Sequence, residues 1–157
     1  AVEHSANIKF GQTMEKRGVE VTWLPVDSLG ELDVHLLHES IREETALVSV
    51  MYANNETGTI QDPFRIAELG KSNGLMYFSD ATQAVGKVEV HPKQLDMDLM
   101  AFSAHKLYGP KGIGALYINK KNKVRLGPRN FGGQQEKGMR PGTLNVPAKY
   151  LGDCGKC

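Results

Sequence analysis

The chain has 157 residues, of which 40% are hydrophobic and 24% charged, a composition typical of one ordinary globular domain. These fractions exclude a disordered or collagen-like chain, and no apolar run approaches the ~20 residues of a membrane helix. The net charge is +1, but residues 1–105 carry 8 basic and 16 acidic side chains, whereas residues 106–157 carry 11 and 2. A basic half can attract nucleic acid, phosphorylated ligands or an acidic protein. We favour the interpretation that the opposite charges of the two halves neutralise each other in the folded chain.

Cysteine usage and the first residues bear on the compartment of the protein. The two cysteines, Cys154 and Cys157, stand at the C-terminal end, which excludes a disulfide framework and predicts a reducing, cytoplasmic location. The start, Ala1-Val2-Glu3-His4, lacks the basic and apolar regions of a signal peptide. Because the first residue is not Met, we expect an incomplete chain.

Helices and strands are predicted to alternate along the chain. Asp33 and the pair Asp62-Pro63 indicate helix starts, since Asp caps a helix and Pro fits its first position. The uninterrupted apolar run Ala46–Ala53 predicts a strand buried on both faces. The predicted helices cover His4–Arg17, Asp33–Ile41 and Asp62–Asn73, and the predicted strands cover Val19–Leu24, Ala46–Ala53, Leu75–Ser79, Leu99–Ser103 and Ala115–Ile118.

This alternation predicts an α/β fold, a three-layer α/β/α sandwich with a mostly parallel sheet. In such sheets ligands bind beyond the carboxyl ends of the strands. Residues 119–148 are rich in Gly, Pro and charge, and we expect them to form long loops over this edge or toward a second subunit. Six polar residues that end or follow predicted strands are expected to meet at the edge: Asn55, Asp80, Gln83, Ser103, His105 and Lys106.

Several of these side chains suit one kind of chemistry. Lys106 follows a predicted buried strand, and desolvation there would lower its pKa and make its amine nucleophilic. Ser103 and His105 can donate to a phosphate, and Asp80 can hold a protonated ring nitrogen. Taken singly, such an Asp is usually a helix cap and such a Lys is usually solvated. Their combination favours a site.

Five motifs, in this order, resemble the NifS/IscS-like cysteine desulfurases, which belong to the class V aminotransferase group of fold-type I pyridoxal phosphate enzymes. The motifs are Glu3-His4-Ser5-Ala6, Ala53-Asn54-Asn55-Glu56-Thr57-Gly58, Ser79-Asp80-Ala81-Thr82-Gln83-Ala84-Val85-Gly86, Ser103-Ala104-His105-Lys106-Leu107-Tyr108-Gly109-Pro110-Lys111-Gly112 and Gly138-Met139-Arg140-Pro141-Gly142-Thr143.

The resemblance implies pyridoxal 5'-phosphate as cofactor and gives roles around its ring. Lys106 would bind the cofactor covalently through its amine and later move the α-proton of the substrate. His4 would stack on the ring and serve as an acid or base, although it can also be read simply as a helix N-terminal residue. Asp80 would pair with the ring nitrogen. Asn55 and Gln83 would hydrogen-bond the phenolic oxygen of the ring or its surroundings.

Other matched residues are implied to bind phosphate or to form a dimer. Ser103 and His105 would hold the phosphate group. Thr143 would reach the phosphate of the other subunit's cofactor, so the active site would depend on a homodimer. Arg140, in the same motif, would support that loop.

The implied reaction converts L-cysteine to L-alanine and leaves a persulfide on the enzyme, whose sulfur passes to an acceptor or scaffold protein for iron–sulfur cluster or thio-cofactor assembly. Residues 1–148 would be the central part of the large domain, and 149–157 a divergent tail without a helical apolar face. The nucleophilic cysteine loop and the small domain of the family are not matched. We therefore expect the chain to bind the cofactor weakly and not to complete desulfuration alone.

Two alternatives remain open from the sequence. One is a selenocysteine lyase or another class V aminotransferase-family enzyme. The other is an inactive fragment whose basic surface, residues 106–157, binds nucleic acid or an acidic protein, but that segment lacks the interleaved aromatic residues of nucleic-acid binders. No metal site is predicted: His35, His38 and His91 match no motif, and Cys154-x-x-Cys157 supplies only half of a zinc site. No membrane partner is expected.

Overall fold

A computed structural model describes residues 1–122 and 124–153, with the side chains of 150–153 left aside. The cysteines at 154 and 157, and with them the end of the predicted tail, lie outside the described residues. The helices are α1 (Ser5–Glu15), α2 (Val34–Glu39), α3 (Pro63–Ser72) and α4 (Val146–Asp153), and the strands are β1 (Leu47–Ser49), β2 (Met76–Asp80), β3 (Leu99–Ser103) and β4 (Gly114–Ile118). Short 3-10 helices cover Ala104–Lys106, Lys120–Asn122 and Gln135–Gly138.

The four strands form one sheet in the order β1-β2-β3-β4. The first three strands are parallel, which confirms the predicted mostly parallel sheet, and β4 runs antiparallel to β3. The connection from β3 to β4 covers only residues 104–113, and a crossover between parallel strands needs about a dozen residues or more. The carboxyl ends of β1, β2 and β3 therefore lie at one edge of the sheet, as expected.

The core is formed where α3 packs on β2. The helix begins as predicted: the Asp62 carboxylate accepts hydrogen bonds from the backbone N–H groups of Phe64 and Arg65, and Pro63 opens the first turn. Ile66 of α3 is 1% exposed and Tyr77 of β2 is 2% exposed. This face of the sheet is therefore closely packed.

The other side of β1 departs from the predictions. Val19–Leu24 is not a strand, because a cavity of about 870 Å³ lies between this segment and β1. Strands pair only at a spacing of about 4.8 Å, so a β-rich sequence without a neighbour at that distance forms no ladder. The predicted strand over Ala46–Ala53 shortens to Leu47–Ser49. It is not buried on both faces, since Leu47 and Ser49 are exposed on the cavity side.

The C-terminal segment also differs from its prediction. The loops after β4 are long, as expected, but α4 runs through Asp153 and so makes residues 149–153 helical. The apolar residues Val146, Ala148 and Leu151 start and continue this helix. The proposed division of the chain after residue 148 stays a prediction.

Candidate functional site

The carboxyl edge of the sheet brings the ends of three strands into fixed register. The Tyr52 N–H donates to the Asp80 carbonyl (2.9 Å), and the Ala81 N–H donates to the Ala101 carbonyl (2.9 Å). Asp80 is the last residue of β2, and Ser103 is the last residue of β3. The predicted convergence of polar residues at this edge is therefore found for the ends of β2 and β3.

Asp80 combines a turn role with an available carboxylate oxygen. Its Oδ1 accepts the Thr82 N–H at 3.0 Å, which holds the turn after β2. The side chain is half-buried. In that turn Gln83 is half-buried, and its Oε1 accepts from the Lys87 ammonium. The helix-cap interpretation of Asp80 is therefore wrong for the described structure, because a turn and not a helix follows β2; the turn uses Oδ1 and leaves Oδ2 for another task.

Ser103 and His105 form a hydrogen-bonded pair just beyond β3. The Ser103 Oγ lies 2.7 Å from the His105 Nδ1, and which atom donates depends on the imidazole tautomer. Both side chains reach solvent at the edge of the sheet. A hydroxyl and an imidazole placed side by side on a turn form a donor set that suits a phosphate.

Lys106 ends the 3-10 helix that follows β3. The turn after it is closed by the N–H groups of Leu107 and Gly109, which donate to the Ala104 carbonyl at 2.8 and 3.0 Å. A Cβ at position 109 would lie 3.0 Å from that carbonyl oxygen, a tighter contact than most Cβ atoms make, so this close approach favours glycine. The expected burial of Lys106 is wrong for the described residues, because the 3-10 helix projects beyond the sheet and exposes the side chain.

His4 is the N-cap of α1. Its Nδ1 accepts the Ala6 N–H at 3.2 Å, and the imidazole is otherwise exposed. The interpretation of His4 as a helix N-terminal residue is therefore correct. With Nδ1 accepting this bond, Nε2 is the nitrogen that carries the proton of a neutral imidazole.

Asn55 and Thr143 are exposed on loops. Asn55 belongs to the turn after β1, and Thr143 lies between the 3-10 helix Gln135–Gly138 and α4. Both residues therefore lie outside helices and strands, as predicted, while the expected position of the Thr143 loop over the edge of the sheet stays a prediction. The cofactor roles of both residues stay predictions.

The sequence analysis missed two residues that organise this edge, Glu3 and Asn54. Asn54 is buried and bonds to the loop that follows it, and Glu3 is partly buried between α1 and the end of β1. Burial raises the pKa of the Glu3 carboxyl; hydrogen bonds from Asn7 and Met51 oppose that rise, and the nearby charge of Asp80 adds to it. Both residues lie within the motifs quoted above. A motif alone does not distinguish a residue that binds the cofactor from one that orders the backbone.

In the part of the chain that the structure describes, no three His, Cys, Asp or Glu side chains are grouped as a metal site. Nor is any helix among the described residues long and apolar enough to cross a membrane.

Comparison with known sequences reaches nearly the whole chain. The family model "Aminotransferase class-V" matches residues 1–150. The chain is 46% identical over 146 residues to the cysteine desulfurase IscS of Buchnera aphidicola, covering 93% of this chain and 36% of that protein. IscS of Salmonella arizonae gives 46% identity over 144 residues, with 92% and 36% covered. The chain thus spans about a third of the length of these curated relatives.

Solved structures agree with the sequence comparisons. A NifS-like protein superposes with a TM-score of 0.94 at 38% identity, covering 98% of this chain and 42% of that one. DndA from Streptomyces lividans gives a TM-score of 0.87 at 36% identity, covering 99% and 45%. The fold, the order of the motifs and the family match agree, and the chain belongs to the class V aminotransferase family.

Proposed function

We propose that residues 1–157 carry the cofactor-binding part of a pyridoxal-phosphate-dependent cysteine desulfurase. The observation that supports it best is the meeting of Asp80, the Ser103–His105 pair and Lys106 at the carboxyl edge of a mostly parallel sheet. The 46% identity to proteins named cysteine desulfurase IscS supports the choice of reaction within the family.

The residues at the edge have the chemistry that pyridoxal phosphate needs. The Ser103 and His105 side chains offer donors for its phosphate, and the free oxygen of Asp80 suits a protonated ring nitrogen. The cofactor, when bound, supplies an electron sink for negative charge at the α-carbon of an amino acid. Asp80 would keep the ring nitrogen protonated by its negative charge, since an opposite charge favours the protonated form.

Lys106 and His4 would handle binding and protons. The exposed Lys106 amine would hold the cofactor covalently at its aldehyde carbon, with loss of water, and would carry the α-proton of L-cysteine. The helix cap uses the His4 Nδ1, so Nε2 would be the atom that donates or accepts a proton. Asn55 and Gln83 would hydrogen-bond around the ring.

The partners of the proposed enzyme follow from the reaction. L-Cysteine is the substrate, L-alanine leaves, and a persulfide sulfur passes to an acceptor or scaffold protein for iron–sulfur cluster or thio-cofactor assembly. We propose that the whole protein acts as a homodimer in the cytoplasm, with Thr143 reaching toward the phosphate in the other subunit. Residues 1–157 alone are expected to bind the cofactor without forming a persulfide.

The test is a titration of the chain with pyridoxal phosphate, followed by borohydride reduction and mass spectrometry. We expect one label, at Lys106, and its loss in Lys106→Ala. Lys111→Ala is the matched control, because Lys111 is exposed on the same loop outside the proposed site, and it should label as the parent does. Labels scattered over several lysines, or an unchanged yield in Lys106→Ala, contradict the proposal. In the whole protein, the rates on L-cysteine and L-selenocysteine separate a desulfurase from a selenocysteine lyase.

A further inference from the structure

Two hydrogen bonds tie the segment before α1 to the chain that follows β1, and a third ties Glu3 to α1. The Asn54 side-chain Nδ2 donates to the Val2 carbonyl at 2.6 Å. The Met51 N–H donates to the Glu3 Oε1 at 2.5 Å, and the Asn7 Nδ2 donates to the Glu3 Oε2 at 2.9 Å. Asn54, at the Val2 carbonyl, and Glu3, through its own carboxylate, therefore hold the backbone on the N-terminal side of His4.

The orientation of the Asn54 amide is fixed from both ends. Its Oδ1 accepts the N–H groups of Glu56 and Thr57 at 2.8 and 2.9 Å, which shape the turn that carries Asn55. With the oxygen committed to that turn, only the nitrogen can face Val2. Asn54 is 7% exposed, so water does not readily replace either contact.

Glu3 occupies a position that a neighbouring strand would otherwise fill. Residues 46, 50 and 52 direct their backbone groups to β2, since the Ala46 carbonyl accepts from Met76, and the Val50 and Tyr52 N–H groups donate to Phe78 and Asp80. Backbone groups alternate along a strand, so the Met51 N–H points away from β2. The Glu3 carboxylate satisfies this buried N–H.

His4 directly follows this anchored segment. Its carbonyl accepts the N–H groups of Asn7 and Ile8 at 2.9 and 3.2 Å, and its Nδ1 accepts the Ala6 N–H. The backbone of His4 is thus fixed on one side by α1 and on the other by β1. The direction of the imidazole depends on both.

We propose that Glu3 and Asn54 are positioning residues, which set His4 and Asn55 against the strand ends that carry Asp80 and Lys106. The role in cofactor binding rests on the proposed function, whereas the hydrogen bonds that position His4 and Asn55 do not depend on it. Asn54 links the two loops directly, since its nitrogen holds the His4 segment and its oxygen holds the Asn55 turn. One side chain therefore keeps two predicted ring-binding residues at a constant separation.

Asn54→Asp is the first test, because it keeps the oxygen for the turn and places a second oxygen against the Val2 carbonyl. The ¹⁵N resonances of the His4 imidazole are measured by NMR in the chain without cofactor. We expect the parent to show the Nε2-protonated tautomer and Asn54→Asp to show a mixture. Asn73→Asp is the matched control: the Asn73 Nδ2 donates to a backbone carbonyl at 2.9 Å, at the end of α3 and away from this edge.

A second pair of variants guards against simple misfolding. Glu3→Gln keeps an oxygen for the Met51 N–H but sets an amide nitrogen against the Asn7 amide. Adding Asn7→Asp restores a donor–acceptor pair in the reverse direction. We expect Glu3→Gln to disturb the His4 resonances and the double variant to recover them, a rescue that general loss of stability does not produce.

Cofactor binding separates the failure of this inference from that of the proposed function. Where the parent labels at Lys106, Asn54→Asp should bind pyridoxal phosphate about tenfold more weakly, the effect of losing one ordering hydrogen bond. Where the parent does not label, the proposed function fails, and the NMR comparison alone decides the positioning role. His4 resonances that match the parent in both Asn54→Asp and Glu3→Gln overturn the inference.

Discussion

The two sides of β1 have similar apolar sequences and very different packing. Toward β2 and α3 the chain buries Val48, Ile66 and Tyr77, each at 5% exposure or less. Toward α1 it leaves a cavity of about 870 Å³, and Trp23 and Leu47 are 39% and 45% exposed. Apolar and β-branched residues on both sides were therefore not enough to build the same structure. A strand needs a paired neighbour as well as a favourable sequence.

The difference matters for the site because its residues come from both sides. Asp80 and Ser103 end β2 and β3, and Lys106 follows β3, on the packed side. His4 precedes α1, which lines the cavity. The bonds of Glu3 and Asn54 are the described hydrogen bonds between the His4 segment and β1 or its following loop. The site thus combines residues from the closely packed side with His4, whose segment is held to β1 and its following loop by few hydrogen bonds.

The largest expected effect tests this contrast with two truncations. Ile66→Ala removes a side chain that is 1% exposed in the packed side and should lower the free energy of unfolding by about 2–5 kcal/mol. Met14→Ala, on α1 at the cavity, should cost about 1 kcal/mol or less, since it enlarges a space that already exists. Urea unfolding followed by circular dichroism measures both.

Equal costs for Ile66→Ala and Met14→Ala would contradict the comparison. They would mean that α1 is packed in solution as closely as α3. The slope of each unfolding curve serves as the control, since an unchanged slope shows that the same surface is exposed on unfolding.

The contrast also explains which parts of the fold could be predicted from the sequence. The strand at Leu99–Ser103 and the start of α3 at Pro63 were predicted correctly, because an apolar run and an Asp-Pro cap act locally. The strand predicted at Val19–Leu24 is wrong, because strand formation also depends on a second strand to pair with, which the local sequence does not reveal. At the site, Asp80 and Lys106 could be placed from strand ends. The roles of Glu3 and Asn54 could not, because their partners are backbone groups about 50 residues distant.

A second prediction compares two aspartates that accept backbone N–H groups. The buried Asp98 accepts the Tyr77 N–H at 2.8 Å, whereas the exposed Asp27 accepts those of Leu29 and Glu31, both at 2.8 Å. Asp98→Ala leaves a buried donor without a partner and should cost about 1–3 kcal/mol. Asp27→Ala should cost about 1 kcal/mol or less, because water can bond to the exposed N–H groups. Urea unfolding measures both costs. A larger loss of unfolding free energy in Asp27→Ala than in Asp98→Ala would contradict the prediction, because the exposed hydrogen bonds would then stabilise the fold more than the buried one.

The smallest expected effect lies at Glu3, where the two sides meet. Burial raises the pKa of the Glu3 carboxyl above its ordinary value, so the folded chain holds this proton more tightly than the unfolded chain. The resulting stability is fully present below the ordinary pKa of about 4.3 and is lost as the pH rises through the higher folded value. Glu3→Gln has no such proton. The unfolding free energy of the parent minus that of Glu3→Gln should therefore fall as the pH rises from about 4 to 7.

Asn7→Ala sharpens this last measurement. The Asn7 amide donates to Glu3 and opposes the effect of burial on the pKa, so its removal should raise the pKa further and steepen the loss of stability with pH. Urea unfolding of the three proteins at several pH values gives the comparison directly. A difference that grows with pH would mean that the hydrogen bonds from Asn7 and Met51 outweigh burial and favour the charged carboxylate. In that case the anchor between the two sides would be strongest at neutral pH, and the His4 segment would be held most firmly there.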